Sequence, residues 1–149
     1  MTESEKSFLD SLKPLMDAHS LGKSSVESTF GVTLHLDNSR STPAYVFYLY
    51  EVSEGDKLFN TVRKIDFRSP ANPLEGKHPF LYVELVENFN LNIDTIIAYY
   101  GQPQDLIPST PQESIGTGVT VTYIYQIKDK KISFGVGIKG NITSVSFDH

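Results

Sequence analysis

Apolar residues along this chain recur in two rhythms. Over about 4–18, Phe8, Leu9, Leu12, Leu15 and Met16 return at three- and four-residue spacing, the stripe of an amphipathic helix. Pro14 lies inside that stretch; it removes a backbone donor and crowds the preceding turn, so the helix should kink or split. Ser24 or Ser25 can cap a second, short helix that stops at Gly31, where a left-handed residue is useful. Further on, Asn92 or Asp94 starts a helix that ends in Tyr99-Tyr100-Gly101-Gln102-Pro103. Elsewhere the pattern alternates or runs continuously apolar between turn residues, which predicts strands over about 32–36, 44–52, 58–67, 119–127, 132–138 and 142–147. Glu54-Gly55-Asp56, Asp129-Lys130 and Lys139-Gly140-Asn141 read as hairpin turns.

Two segments resemble each other. Val46-Phe47-Tyr48-Leu49-Tyr50-Glu51-Val52 matches Val121-Thr122-Tyr123-Ile124-Tyr125-Gln126-Ile127, about 75 positions later, and an Asp-Lys turn follows each. Upstream, Phe8-Leu9 matches Phe80-Leu81, and Val26 to Gly31 resembles Ile96 to Gly101. Composition would allow a strand over 80–89; the repeat register argues for a helix there, and helix is the expectation. The proline-bearing stretch 69–79 is then a connection. The chain reads as one domain of two diverged repeats, about 4–68 and 78–148, joined by a linker at 69–77. Each repeat places helices before an antiparallel meander, which gives an α+β fold with the helices packed on one face of the sheet.

Composition narrows the function classes. The 149 residues are 39% hydrophobic and 21% charged, with no low-complexity tract, so a packed core is expected rather than disorder. No apolar run approaches the roughly 20 residues of a membrane span. The formal charge is −5, spread along the chain, which disfavours nucleic acid and anionic membranes as partners. The opening MTESEKSFLD is polar and acidic, unlike a secretory leader, so the chain as it stands reads as cytoplasmic, or periplasmic if a leader was removed. With no cysteine there is no disulfide, thiolate or cysteine–zinc chemistry.

The residues spell no complete catalytic pattern. His19, His35, His78 and His149 lack a second ligand at metal spacing, and read as ordinary surface or loop histidines. Gly135-Val136-Gly137 falls in a strand with no following helix and no third glycine; a bend or the close approach of another segment is the expected role. There is no Gly-x-Ser-x-Gly elbow, and Ser146-Phe147-Asp148-His149 sits on a strand end, where alternation aims its side chains apart. Catalytic residues, metal and cofactor are therefore expected to be absent.

Strand alternation selects a face instead. Val119, Val121, Tyr123, Tyr125 and Ile127 share an apolar side that should pack on the helices, as should Val46, Tyr48, Tyr50 and Val52. The opposite side carries Tyr45, Phe47, Leu49 and Glu51 in the first strand, and Thr120, Thr122, Ile124 and Gln126 in the second. An exposed row of Tyr, Phe and Leu is costly unless covered, and aromatic anchors among polar neighbours are the usual centre of an interface. A partner protein, the linker or N-terminal helix of the same chain, or a second copy could supply that cover.

Tyr100-Gly101-Gln102-Pro103, a proline-rich loop, Thr122-Tyr123-Ile124-Tyr125, Ile132-Ser133-Phe134 and Ile142-Thr143-Ser144-Val145 follow in order. This succession is similar to the beta-lactamase-inhibitor-protein fold, shared with the BamE/SmpA outer-membrane lipoproteins. The resemblance covers about 80–147, and 8–67 as a weaker first copy. It departs in three places: Phe30-Gly31-Val32 lacks the proline, the inhibitor's cysteines are missing, and no lipid-attachment cysteine precedes Thr2. What the resemblance implies is binding through a sheet face and loops without chemistry. The expected function is a protein-binding inhibitor, in the manner of an immunity protein neutralising a bacterial toxin or effector. An envelope-assembly or accessory factor of the BamE type is the alternative, and a small hydrolase stands behind both.

Overall fold

The computed structural model describes residues 1–17, 21–72 and 76–148. Helix α1 (Glu3–Ser11) opens on a capping box: Glu5 N–H donates to the Thr2 hydroxyl at 3.2 Å, and Thr2 N–H donates to the Glu5 carboxylate at 3.1 Å. Pro14 splits the helical stripe as expected, and α2 (Lys13–Asp17) follows after Leu12. The expected continuation to residue 18, like His19, His149 and part of the linker at 73–75, lies outside the described residues. Helix α3 (Lys23–Phe30) is capped at Gly22, not at Ser24 or Ser25. Ser25 instead reaches back from the third helical position to Gly22, and Gly31 ends the helix at φ 66°.

The strands are β1 (His35–Leu36), β2 (Tyr45–Glu51), β3 (Val62–Pro70), β4 (Phe80–Leu85), β5 (Asp105–Pro108), β6 (Val121–Ile127), β7 (Lys130–Val136) and β8 (Ile142–Asp148). Helix α4 (Ile93–Tyr100) separates β4 from β5, with Asn92 as its cap, and α5 (Pro111–Thr117) separates β5 from β6. All pairings are antiparallel, in the order β1-β2-β3-β4-β8-β7-β6-β5. The fold is thus α+β on an eight-stranded antiparallel sheet.

Residues 80–89 are not a helix. Phe80–Leu85 is a strand held on both sides, by β3 and by β8. Leu81, Val83 and Leu85 are buried, while Phe80, Tyr82 and Glu84 are half-buried. Period-2 burial in the middle of a sheet prevails over the register borrowed from Phe8-Leu9. Residues 71–79 consequently connect two neighbouring strands. Strand β1 is shorter than expected, and β3 starts at Val62 because Asp56 and Leu58 organise a turn, with Val62 N–H donating to Leu58 C=O at 2.9 Å. The stretch read as a bare loop after Pro103 holds both β5 and α5.

One contiguous core unites Phe8, Leu9, Val26 and Ile96 of the helices, and Leu12 between α1 and α2, with Ile65, Phe67, Val83, Phe134 and Val145 of the strands. Tyr48, Tyr50, Val52, Val121, Tyr123 and Ile127 pack against it and Tyr125 lies within it, so the apolar register read from the sequence holds for these positions. Helices α1 and α4 are also tied by polar contacts: the Tyr99 hydroxyl donates to Asp10 at 2.5 Å, and that of Thr95 to Glu5 at 3.2 Å. Val119 departs from the expected side. One of its methyls lies 3.0 Å from where a Cβ at Gly135 would sit, and Gly135 pairs with Thr122 and Ser144 on the far face.

Candidate functional site

Directly paired strand residues share a face, so the register fixes what the far side of the sheet displays. One row runs Phe47, Arg68, Phe80; the next runs Leu49, Asp66, Tyr82, Ser146, Ser133, Ile124, Asp105. A third runs Glu51, Lys64, Glu84, Ser144, Gly135, Thr122, Ile107. Tyr45, Phe47, Leu49 and Glu51 therefore share the face with Thr122, Ile124 and Gln126, yet they do not adjoin them. Five strand spacings, about 24 Å, separate β2 from β6. Thr120 precedes β6, and its hydroxyl donates to Val136 C=O at 3.1 Å. Between the two groups lies a trough of small side chains, Ser133, Gly135, Ser144 and Ser146. Its floor is tight: a Cβ at Gly135 would fall 2.5 Å from Ser144 Oγ, the close approach that the glycine's place in a strand implied.

The β2 end of the face is the richer one, because β3 and β4 add residues that the sequence reading left out. The Arg68 guanidinium lies 4.7 Å from the Tyr45 ring centroid and 5.2 Å from that of Phe80. Its Nε is buried without an acceptor, an arrangement that ordinarily costs about 1–3 kcal/mol or more. Arg40 sits 5.2 Å over the Phe47 ring. Its terminal nitrogens donate to both oxygens of Asp66 at 2.8 and 3.0 Å, and its Nε to Asp37 at 2.7 Å. Those carboxylates, Asp66 first, hold the Arg40 guanidinium well above its ordinary basicity. The Asp37 carboxyl is held below the usual range by the Ser39 hydroxyl and then by Arg40. Burial pushes the Tyr82 hydroxyl up, with Glu84 next in effect.

Loop 37–42, which carries Arg40, is laced to β2 by its own hydrogen bonds: Phe47 N–H donates to Ser41 Oγ at 3.1 Å, and Thr42 N–H to Tyr45 C=O at 2.8 Å. The partial cover over Phe47 thus comes from this loop. Leu49 stays half-buried, and Glu51 is exposed.

Phe80 and Tyr82 went unseen because a helix was expected over 80–89, and Arg68 because the preceding strand was expected to end at Phe67 rather than Pro70. The alternation of Leu81, Val83 and Leu85 was the signal available. Two grooves open at the end of the sheet where β2 turns into β3. One of about 630 Å³ lies between Phe59, Arg63 and Glu87, and one of about 450 Å³ between Phe8, Phe30 and Lys57. Neither includes a residue of the aromatic rows. Among the described residues, no group of three or more His, Asp or Glu is arranged to hold a metal.

No protein-family model matches this chain. No curated protein matches it either. In fold it is similar to the crystal structure of a DUF4309 family protein (YjgB) from Bacillus subtilis subsp. subtilis str. 168. The TM-score is 0.50 at 12% identity, over 89% of this chain and 80% of that one. At that identity the likeness concerns the fold alone.

Proposed function

We propose that this chain is a protein-binding inhibitor that engages its target through the far face of the sheet, in the manner of an immunity protein neutralising a bacterial toxin or effector. One observation carries the binding face: the aromatic rows Tyr45, Phe47, Phe80 and Tyr82, threaded by Arg40 and Arg68, stand on the side of the sheet opposite the core. Aromatic residues and arginine are the types enriched at interface hot spots. The six longer strands present roughly 600 Å², most of the ~800 Å² that a standard interface takes from one partner. The inhibitor class rests on the sequence resemblance; the face rests on this geometry.

The reading also takes the chain as two related helix-and-meander halves. Strands β1 to β4 cross one half of the sheet in chain order, and β5 to β8 mirror them, meeting at β4 and β8. The matched segments form β2 and β6, each second from its edge. That correspondence supports the repeat.

The test compares two baits in a lysate of the native organism, the native chain and its Leu49→Glu variant. The proposal expects a protein that the native bait retains and the variant loses, and whose toxicity the native chain relieves on co-expression. Equal recovery by both baits would contradict it.

A further inference from the structure

We infer that Arg68 is the anchor for a carboxylate that the partner protein presents next to an aromatic side chain. The inference rests on the proposed use of this face and adds the chemistry of what docks there. Two arginines stand on the face, and their surroundings differ. Arg40 already meets the carboxylates of Asp37 and Asp66. Among the described residues, the contacts of the Arg68 guanidinium are with rings, those of Tyr45 and Phe80. Asp66, two residues along the same side of β3, is the nearest carboxylate in sequence, but both its oxygens accept from Arg40. Among the described residues, no carboxylate pairs with Arg68. Of its nitrogens, Nε is the one buried without an acceptor.

Rings attract a guanidinium through their faces, but they do not satisfy its in-plane N–H donors. Those donors form a planar fork that matches a carboxylate at two points, and a lysine cannot reproduce it. Tyr45 and Phe80 also shield the site from water, which strengthens a charge pair formed there. Their outer edges leave an apolar surface against which a neighbouring ring of the partner can lie. The selection is local: with a net charge of −5 the chain as a whole does not steer an acidic partner, and the attraction comes from the guanidinium at contact range.

The probes are N-acetyl-aspartyl-phenylalaninamide and its asparaginyl analogue, titrated into the full chain while the arginine Nε–H resonances are followed by NMR. With the aspartyl probe, the Arg68 resonance should move progressively and saturate in the millimolar range. With the asparaginyl probe the shift should be lost, and Arg68→Lys should abolish the ring shifts at Tyr45 and Phe80 while melting like the native chain. An Arg68 signal that ignores both probes, or answers both equally, overturns the inference. If partner capture still depends on Leu49 in that case, the face reading stands and only the carboxylate anchor falls.

Discussion

Arg40 grips Asp66 at two points, 2.8 and 3.0 Å, across 26 residues of sequence, and in doing so lays loop 37–42 over the ring of Phe47. The clasp ties the edge of the sheet to β3 and engages both oxygens of Asp66, the carboxylate nearest Arg68 in sequence. Arg40→Gln and Asp66→Asn, singly and together, should give a coupling of about 0.5–1 kcal/mol in chemical denaturation. That size reflects a bidentate but partly solvated pair, so the coupling should shrink in 1 M salt. Strictly additive losses would mean that the clasp contributes nothing to stability.

Acid should unfold the chain through its depressed carboxyls. Asp10 is lowered chiefly by the Tyr99 hydroxyl, Asp17 by Lys128, Asp37 by Ser39 and then Arg40, and Glu27 by the Leu34 N–H. A folded-state pKa below the unfolded value adds stability that is full above the unfolded pKa, about 4, and fades as pH falls through the folded one. The denaturation midpoint should therefore hold steady above pH 5 and drop below about pH 4. In Tyr99→Phe, Asp10 should titrate at higher pH by NMR. An unmoved Asp10 would remove Tyr99 from the account.

Tyr125 is 2% exposed, lies 5.4 Å from Tyr100 and 6.0 Å from Phe134 between ring centroids, and donates to Gly101 C=O at 2.9 Å. Tyr125→Ala should cost about 3–5 kcal/mol, as truncation of a buried aromatic does. Thr122→Ala, on the far face of the same strand, should cost little. Thermal melts that reverse this ranking would contradict the assigned faces.

Strand β4 is enclosed on both sides, so the amides of Leu81 and Val83 should exchange with solvent among the slowest in the chain. Those of β1, only two residues long at the sheet edge, should be far faster. Rapid exchange at Val83 would contradict the central position of β4.

Strand alternation made β2 and β6 readable: Tyr48, Tyr50, Tyr123 and Tyr125 turn inward, as their spacing requires. Helix ends marked by Asn92, Gly31 and Pro14 were equally legible, because each acts locally: Asn92 through a side chain that accepts the Asp94 N–H, Gly31 and Pro14 through their own backbones. The fate of Phe80–Leu85 was not, since a short apolar run fits a strand or a helix until its neighbours are known. Arg40 and Asp66 lie 26 residues apart, and no local rule pairs them. Helix α5 was missed even though Thr110-Pro111-Gln112-Glu113 spells a capping box with proline in the first turn, and that box forms.

The central claim is that the far face binds a partner, and Leu49 tests it with the least disturbance because Phe47 also supports Arg40. Melting temperature and affinity for the recovered partner should be measured together on Leu49→Glu and Phe47→Ala. The account predicts that Leu49→Glu melts within a few degrees of the native chain and binds at least about thirtyfold more weakly, the loss of ~2 kcal/mol or more expected at an interface anchor. Phe47→Ala should lose affinity as well, with a modest drop in melting temperature from the slackened loop. Native affinity in a folded Leu49→Glu chain would contradict the claim.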